Sequence, residues 1–501
     1  MLPANRRQFL KVAAAGGIAA VLPWQLSQAL AQQVKEPLIF GTLYGFTDLN
    51  PLTKLVHSFQ YMIFDGLTAM DPATAEAVPN LAARWTQNSD TEMVFTLRDD
   101  VNFSDGSPMT ADDVVFSIET ELSEKLSHSS VLATIASAEA IDAHTVRITT
   151  KGPDPLLTKR LALLFVVSKA AYAAAGTKQF GLSPVGTGQY KMKDLTPGSS
   201  FSLTAAEGNW KGAPATKNVR FDVYADGNAL LAATETGQID VAQQLPTDAT
   251  AGIDGYDLAK IAVGSPFLLQ LKTTEPPFDD KRVRQAVNMA INTDAILQVI
   301  MQGVGTRLQG QLPGPDCVGH NPDVTDYPYD LDAARKLMAE AGFADGFDTE
   351  LVGQQRDRAL LEAVAGELAN IGIRATVTPL EYSVWVQAWR QGTQWPVFAK
   401  GLDYSPLYDA DQSYQWVTAG DDGRKGWIDP HWDEMLAASR VTLDPAKRLD
   451  ILHQMASYLH DEAPFIFLYS QQWLVASAEG MSGLKLDTGK FINAATASLP
   501  A

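Results

Sequence analysis

The segment from Phe64 to Glu119 contains the clearest local signals in this sequence. Apolar residues at alternate positions of the stretch Met93–Leu97 predict a half-buried strand. The stretch Ser104–Pro108 contains a glycine that can take positive φ, which is typical of a tight turn. Thr110 then predicts the N-cap of a helix, with Asp113 close to its positive end. A strand, a turn and a capped helix in close succession indicate mixed α and β structure.

Length, charge and cysteine content limit the class of protein. A chain of 501 residues is too long for one ordinary core, so we expect two or three domains. Its net charge of −19 repels nucleic acid and anionic lipid, and we expect neither as a partner. The single cysteine, Cys317, excludes an internal disulfide and a thiolate metal cluster.

Residues 1–31 have the pattern of an export signal. Asn5–Lys11 contains paired arginines of the twin-arginine type, Ala13–Leu22 is modestly apolar, and Ala29–Ala31 is a small-residue cleavage site. No cysteine follows the cleavage site, so we expect no lipid anchor. The mature protein is therefore predicted to be a soluble, exported monomer in the periplasm.

The rest of the chain alternates helices with short strands. Asp280, Asp332 and Asp444 mark the beginnings of three helices, and Gly342 marks the end of the second. The last of these helices has a predicted buried stripe formed by Leu449, Leu452, Ala456 and Leu459. This alternation predicts α/β lobes.

No set of residues indicates catalysis. The seven histidines form no HExxH or His-x-His pattern, so no metal ligands are predicted. Ser482–Lys485 matches SxxK but lacks the KTG and SDN partners of serine acylases. Gly303–Gly305 lacks the third glycine of a dinucleotide-binding loop. We therefore predict no catalytic residue, no metal and no cofactor.

Several longer strings occur in a distinctive order. They are PNLAARW, FTLRDDV and FSDGSPMTADDVVFS, followed by Pro184–Tyr190, Pro277–Ala286, Tyr329–Ala334, Leu443–Arg448 and Asp461–Pro464. In this order they closely resemble the family 5 extracellular solute-binding proteins, which are receptors for peptide-, nickel- and opine-type ABC importers. The resemblance runs from about Leu38 to Leu484.

The resemblance implies an α/β fold of the type II periplasmic-binding-protein kind (cluster C), with two lobes around a cleft and an extra third domain. The implied division assigns residues 32–67, 184–266 and 465–501 to lobe I, 68–183 to the extra domain II, and 267–464 to lobe III. It also implies a receptor that binds a peptide or an opine-like amino-acid conjugate and delivers it to a membrane permease. An exported hydrolase of peptide-like substrates is the alternative, and a chaperone or sensor on the same fold is a third possibility.

The aromatic-rich segment Tyr382–Gln415 is predicted to contribute to the ligand cleft. Within it, Asp403 lies where peptide-binding relatives place the aspartate that pairs with a ligand's α-ammonium group. Asp409 is the rival for that role, and a solvated loop is the alternative for both. Tyr404 and Trp416 are candidates to stack on the ligand.

Two further groups of candidate binding residues follow from the resemblance. Arg356 or Arg358 lies where relatives can carry an arginine for the ligand's carboxylate, and a surface helix cap is the alternative. Tyr44 and Phe46 belong to the first loop, which contributes to the cleft in relatives.

Overall fold

The computed structural model describes residues 34–53, 59–391, 395–402, 407–417, 427–486 and 492–500. The predicted export signal lies outside these ranges. The strands are β1 (Leu38–Thr42), β2 (Thr68–Asp71), β3 (Glu76–Pro79), β4 (Ala82–Ser89), β5 (Glu92–Leu97), β6 (Ile135–Asp142), β7 (Thr145–Thr150), β8 (Tyr190–Thr196), β9 (Ser200–Ala205), β10 (Asn218–Val223), β11 (Val241–Leu245), β12 (Tyr256–Leu271), β13 (Thr306–Arg307), β14 (Phe347–Gln354), β15 (Ile373–Leu380), β16 (Val397–Gly401), β17 (Phe465–Ala478), β18 (Lys485–Leu486) and β19 (Ile492–Asn493).

The helices are α1 (Gln60–Ile63), α2 (Ala111–Ser123), α3 (Leu157–Arg160), α4 (Lys169–Leu182), α5 (Gly227–Glu235), α6 (Lys281–Met289), α7 (Thr293–Val299), α8 (Leu331–Glu340), α9 (Arg358–Ala369), α10 (Tyr382–Gln391), α11 (Asp411–Tyr414), α12 (Pro430–Val441) and α13 (Pro445–Glu462). Two short 3₁₀ turns span Thr247–Ala251 and Gln355–Asp357.

One large mixed sheet organises the molecule. Its strand order is β15-β14-β16-β12-β17-β11-β1-β10-β9-β8, and β13 also pairs with β17. β1 is parallel to β10 and β11 at one end of the sheet, and β14 is parallel to β15 and β16 at the other. The central pairings of β12 with β16 and β17, and of β11 with β17, are antiparallel.

β12 and β17, hereafter the crossing strands, connect two apolar cores. The C-terminal half of β17, with Leu474 and Val475, packs among buried residues from β1, β10 and β11. The N-terminal half, with Ile466 and Leu468, packs in a second core with helices α6, α8 and α9. The pairing of the two strands shifts register between Ala262 and Pro266, where the chain passes from one core to the other.

A separate four-stranded antiparallel sheet, β4-β5-β7-β6, has its own apolar core. Phe95 and Leu97 of β5 are buried there, as the alternating pattern predicted. Helix α2 packs Val114 and Ile118 onto the same core.

Most of the predicted helix ends are confirmed, because they depend on local hydrogen bonds. The exception is Asp332, since α8 begins at Leu331 and is capped by Asp330. The carboxylate of Asp280 accepts a hydrogen bond from the first turn of α6, and that of Asp444 caps α13 in the same way. Thr110 begins α2, and its backbone N–H donates to Asp113 over 2.9 Å. Gly342 follows α8 with a φ of 89°.

The prediction of a buried stripe on α13 is wrong for one of its four residues. Leu449 is 36% exposed, whereas Leu452, Ala456 and Leu459 are buried. Leu449 begins the second turn of α13, and the face that packs on the core at this end of the helix carries the buried Arg448 instead.

Candidate functional site

The carboxyl ends of parallel strands from both cores converge on one cavity. β1 and β11 end at Thr42 and Leu245 on one side, and β14 ends at Gln354 on the other. Ligands of open α/β sheets bind outside the carboxyl ends of such strands. The cavity has a volume of about 260 Å³ and is lined by Leu43, Gln244, Leu245, Thr247, Met301, Val304, Arg356, Tyr469, Gln471, Gln472, Trp473 and Leu474. Its location makes it the candidate ligand site.

Gln244 reaches this cavity through a strained backbone. Its φ of 61° lies in the left-handed region, which costs a non-glycine residue roughly 1–3 kcal/mol. The strain accompanies a bulge between Ala242 and Leu245, where the pairing of β11 with β17 is irregular. The bulge lets the Gln244 side chain donate from Nε2 to the Tyr44 hydroxyl over 3.1 Å.

Two adjacent glutamines of β17 are also held by hydrogen bonds. Gln472 accepts at Oε1 from the backbone N–H of Gly305 over 3.0 Å. Gln471 donates from Nε2 to the hydroxyl of Ser265 over 2.9 Å. Each side chain is therefore held in one orientation by a partner on a different segment.

Arg356 is the charged side chain among the lining residues that the structure describes. Its side chain is 72% exposed and lies 3.7 Å from the carboxylate of Asp357. Burial raises the pKa of Asp357, against the opposing charge of Arg356. Burial also raises the pKa of the Tyr469 phenol, and the nearby Asp357 adds to that effect. The lining thus combines one guanidinium with neutral amides and a neutral phenol at pH 7.

This combination suits binding rather than covalent chemistry. Guanidinium and amide groups recognise carboxylate, hydroxyl and amide groups by hydrogen bonding. The described residues contain no group of three histidine, cysteine, aspartate or glutamate side chains placed to hold a metal ion. In the same part of the chain, no helix is both long and apolar enough to cross a membrane.

The sequence of residues 76–424 matches the family model of the bacterial extracellular solute-binding proteins, family 5 (middle region). That match covers more than half of the chain. The chain belongs to the family 5 extracellular solute-binding proteins. Members of this family bind solutes for transport, so this solute-binding protein is not an enzyme, and the alternative of an exported hydrolase is wrong.

Its similarity to individual proteins extends over nearly the whole chain. It is 26% identical to the glutathione-binding protein GsiB of Pectobacterium atrosepticum, covering 92% of this chain and 88% of the relative. Among solved structures, MoaA from A. tumefaciens R10 in complex with mannopinic acid is 26% identical, with a TM-score of 0.71 and coverage of 90% and 96%. NikA from Brucella suis in complex with Fe(III)-EDTA is 22% identical, with a TM-score of 0.84 and coverage of 93% and 99%. These likenesses confirm the predicted α/β fold of the type II periplasmic-binding-protein kind.

Two of the predicted ligand-binding residues meet at the cavity of this solute-binding protein. Arg356 is part of the lining. Tyr44 lies behind the lining: its hydroxyl bonds Gln244, and its ring centroid is 6.3 Å from that of Trp473. Arg358, the alternative to Arg356, instead pairs with Glu362 on the surface of α9, over 2.8 Å.

Two other predicted residues lie elsewhere. Phe46 is buried in the first core, with its ring edge-on to Phe59 and Phe201. Trp416 is half-buried, with its ring centroid 5.9 Å from that of Trp389. Neither belongs to the lining of the 260 Å³ cavity. Asp403 and Tyr404 lie outside the described residues.

Asp409 is completely buried in an ion pair. Its two carboxylate oxygens accept from Nη1 and Nη2 of Arg448 over 2.8 and 2.7 Å. Lys159 Nζ, from α3 beside the four-stranded sheet, lies 3.5 Å from the same carboxylate. Burial alone would raise the pKa of Asp409, but the hydrogen bonds and charge of Arg448 outweigh it and lower the pKa. The structure thus gives Asp409 partners within the protein.

Gln244, Gln471 and Gln472 line the cavity but were not predicted from the sequence. One signal was present in the sequence, because Ser470–Gln472 places three polar residues inside the otherwise apolar run of β17. Gln244 gave no such signal, since its position depends on a bulge set by pairing with a distant strand.

Proposed function

We propose that this solute-binding protein is the receptor of an ABC importer, which binds a peptide or an opine-like amino-acid conjugate in the cleft around the cavity. The single observation that carries the proposal is the convergence of parallel-strand ends from both cores on one polar cavity. GsiB is named for glutathione, a tripeptide, and MoaA was solved with mannopinic acid. Both compounds carry carboxylates, which the lining residue Arg356 suits.

The crossing strands provide the route for closure. Each passes from one core to the other, so the cores can rotate about the register shift near residues 262–266 without breaking the sheet. A ligand that contacts residues of both cores favours the closed arrangement, because those contacts exist together only there. The closed form is the one that we propose delivers the ligand to a membrane permease.

Arg356 is proposed to bind the ligand's carboxylate. A guanidinium can hold a carboxylate with two parallel hydrogen bonds. Its side chain is 72% exposed beside the cavity, so it is accessible to a ligand. Asp403 remains our proposal for the residue that pairs with an α-ammonium group, with Tyr404 and Trp416 as stacking residues.

The domain division and the cellular location are also proposals. Residues 68–183 are proposed as the extra domain, which is supported by the separate core of the four-stranded sheet. The periplasm is proposed as the location because of the paired arginines in Asn5–Lys11. We further propose that the mature protein is a monomer without a lipid anchor.

The test is a ligand screen on the purified protein. Thermal unfolding should be measured with dipeptides, glutathione, mannopinic acid and an oligosaccharide, followed by calorimetric titration of each hit. A ligand at 100 times its Kd should stabilise the protein by about 2.7 kcal/mol. If none of the peptide or opine compounds shifts the transition, the proposed ligand class is wrong.

Two matched variants test the role of Arg356. Arg356→Ala should weaken binding of a carboxylate ligand by about 10- to 100-fold, because it removes a hydrogen-bonded charge. Arg358→Ala, two residues away on the surface of α9, is the control and should leave Kd unchanged. Equal effects of the two variants would exclude Arg356 as the specific carboxylate partner.

A further inference from the structure

Two cations of the short helix α3 face two buried aspartates from a distant part of the chain. Lys159 Nζ lies 3.5 Å from the carboxylate of Asp409, and Arg160 Nη2 lies 3.8 Å from that of Asp411. The side chains of Lys159 and Arg160 are only 7% and 11% exposed, and neither residue lines the 260 Å³ cavity. We propose that, given the closure proposed above, these two ion pairs form a latch (the α3 latch) that holds the cores closed and sets ligand affinity without touching the ligand.

The four-stranded sheet carries α3 and is fastened to the first core by apolar packing. Leu157 of α3 is buried in the core of that sheet. The adjacent residues Phe165 and Val166 are buried in the first core and in the core of the sheet, respectively, and Val185 packs against both. A rotation at the crossing strands therefore moves α3 together with the first core.

The two aspartates belong to the other side of the rotation. Ala410, which lies between them, is part of an apolar core around Trp432 that includes Phe465 and Phe467 from the N-terminal half of β17. Within the described part of the chain, this core and the core of the four-stranded sheet share no residue. The contacts that join the two sides at α3 are charged, and polar contacts are typical of domain interfaces that come apart.

The charges are divided so that opening leaves the aspartates and arginines paired. Each arginine of the cluster has an aspartate on its own side of the interface. The pairs are Arg160 with Asp154 on the side of the four-stranded sheet, and Arg448 with Asp409 and Arg440 with Asp411 on the other. Lys159 can extend into water when the sides separate. Opening therefore avoids the large penalty of leaving one buried charge without a partner, and the α3 latch is reversible.

Lys159 adds its attraction only while the two sides are in contact. The carboxylate of Asp409 is completely buried, and charges that close in a buried place are weakly screened by salt. Against the effect of burial, Lys159 joins Arg448 in lowering the pKa of Asp409. This attraction across the interface favours the closed arrangement.

Pulsed electron paramagnetic resonance tests the latch in the ligand-free protein. Spin labels are placed at Gln87→Cys on β4 and at Lys336→Cys on α8, both exposed positions on opposite sides of the interface. The native Cys317 is buried, so the labels react at the two introduced thiols. The wild type should show a shorter distance that agrees with the structure and a longer one from the open arrangement.

Variants of α3 connect the two distances to the latch. Lys159→Glu should raise the ratio of open to closed molecules by at least about tenfold, because it places an acid against Asp409. Lys159→Arg keeps the charge and should keep the wild-type ratio. Lys178→Glu makes the same charge change at an exposed position of α4 and is the matched control. Arg160→Gln removes the second ion pair and should shift the ratio in the same direction, which keeps the test available if Lys159→Glu does not fold.

Affinity provides a second measurement. When only the closed arrangement binds tightly, the apparent Kd rises in proportion as the closed fraction falls. Glutathione or mannopinic acid, whichever binds the wild type, should therefore bind Lys159→Glu more weakly by the factor by which the closed fraction falls. A shifted ratio with unchanged Kd would overturn the role of the latch in affinity.

The outcomes separate the latch from the proposed function. If Lys159→Glu has the same ratio as the wild type and a screened compound still binds, the latch fails and the receptor proposal stands. If the wild type shows one distance that neither Lys159→Glu nor a bound compound changes, the contact is a fixed interface, and both the latch and the closure fail. If no screened compound binds, the proposed ligand class fails, while the distances still decide whether the latch exists.

Discussion

The buried ion pair of Asp409 and Arg448 allows a stability prediction from geometry. Arg448→Met keeps most of the side-chain volume but removes both hydrogen bonds to a carboxylate that is fully buried. Removing one partner of a buried pair costs about 3–5 kcal/mol, because the remaining charge is left in a poorly solvating environment. Lys159 Nζ remains 3.5 Å from Asp409 and offsets part of this loss. We therefore expect the free energy of unfolding to fall by about 3 kcal/mol.

Urea unfolding followed by tryptophan fluorescence measures this change. The matched control is Arg358→Met, because Arg358 pairs with Glu362 over a similar distance of 2.8 Å but on the surface. Exposed pairs contribute roughly 0–1 kcal/mol. The double variant Asp409→Asn/Arg448→Met should be more stable than Arg448→Met alone, since the unpaired charge is gone. A loss below about 1 kcal/mol in Arg448→Met, equal to that of the control, would refute the electrostatic reasoning.

Three other measurements test separate features. Gly346→Ala should lower the free energy of unfolding in urea by more than about 1 kcal/mol, because Gly346 has a φ of 71° and a Cβ would overlap a neighbouring backbone carbonyl. Gly366→Ala, at a position of α9 where a Cβ meets no other atom, should instead raise the free energy of unfolding by up to about 1 kcal/mol. Gln244→Gly should relieve strain and raise stability by up to about 1 kcal/mol while weakening ligand binding in titration, and unchanged affinity would separate Gln244 from the site. The pKa of Asp409 is lowered in the folded state. Its contribution to stability is therefore present above the unfolded carboxyl pKa of about 3.9 and is lost as the pH falls towards the folded value. Urea unfolding midpoints measured from pH 7 to pH 3 should fall more steeply with acid in the wild type than in Asp409→Asn/Arg448→Met.

The sequence was informative where structure depends on neighbouring residues. The caps at Asp280 and Asp444, the stop at Gly342 and the alternating strand in Met93–Leu97 all involve interactions within a few residues. The fold class followed from the order of longer motifs, which is a resemblance rather than a derivation. Leu449 was misplaced because the buried face at that end of the helix passes through Arg448, a charged residue that an apolar pattern does not reveal.

The cavity was harder to predict because it is assembled from distant segments. Gln244, Arg356 and Gln471 are brought together by pairings of β11, β14 and β17 across the large sheet. No local pattern specifies those pairings. Arg356 was identified only by analogy with relatives, and the strained bulge that aims Gln244 depends on a strand more than 200 residues away.

The position of β17 has a consequence for how the chain is made. This strand begins at Phe465, near the carboxyl terminus, yet it lies between β12 and β11 in the middle of the large sheet. During translation, the earlier strands therefore emerge with a gap between them that only the last part of the chain can fill. A ribosome that stopped before residue 465 would release two incomplete half-sheets with open edges, which are prone to aggregate.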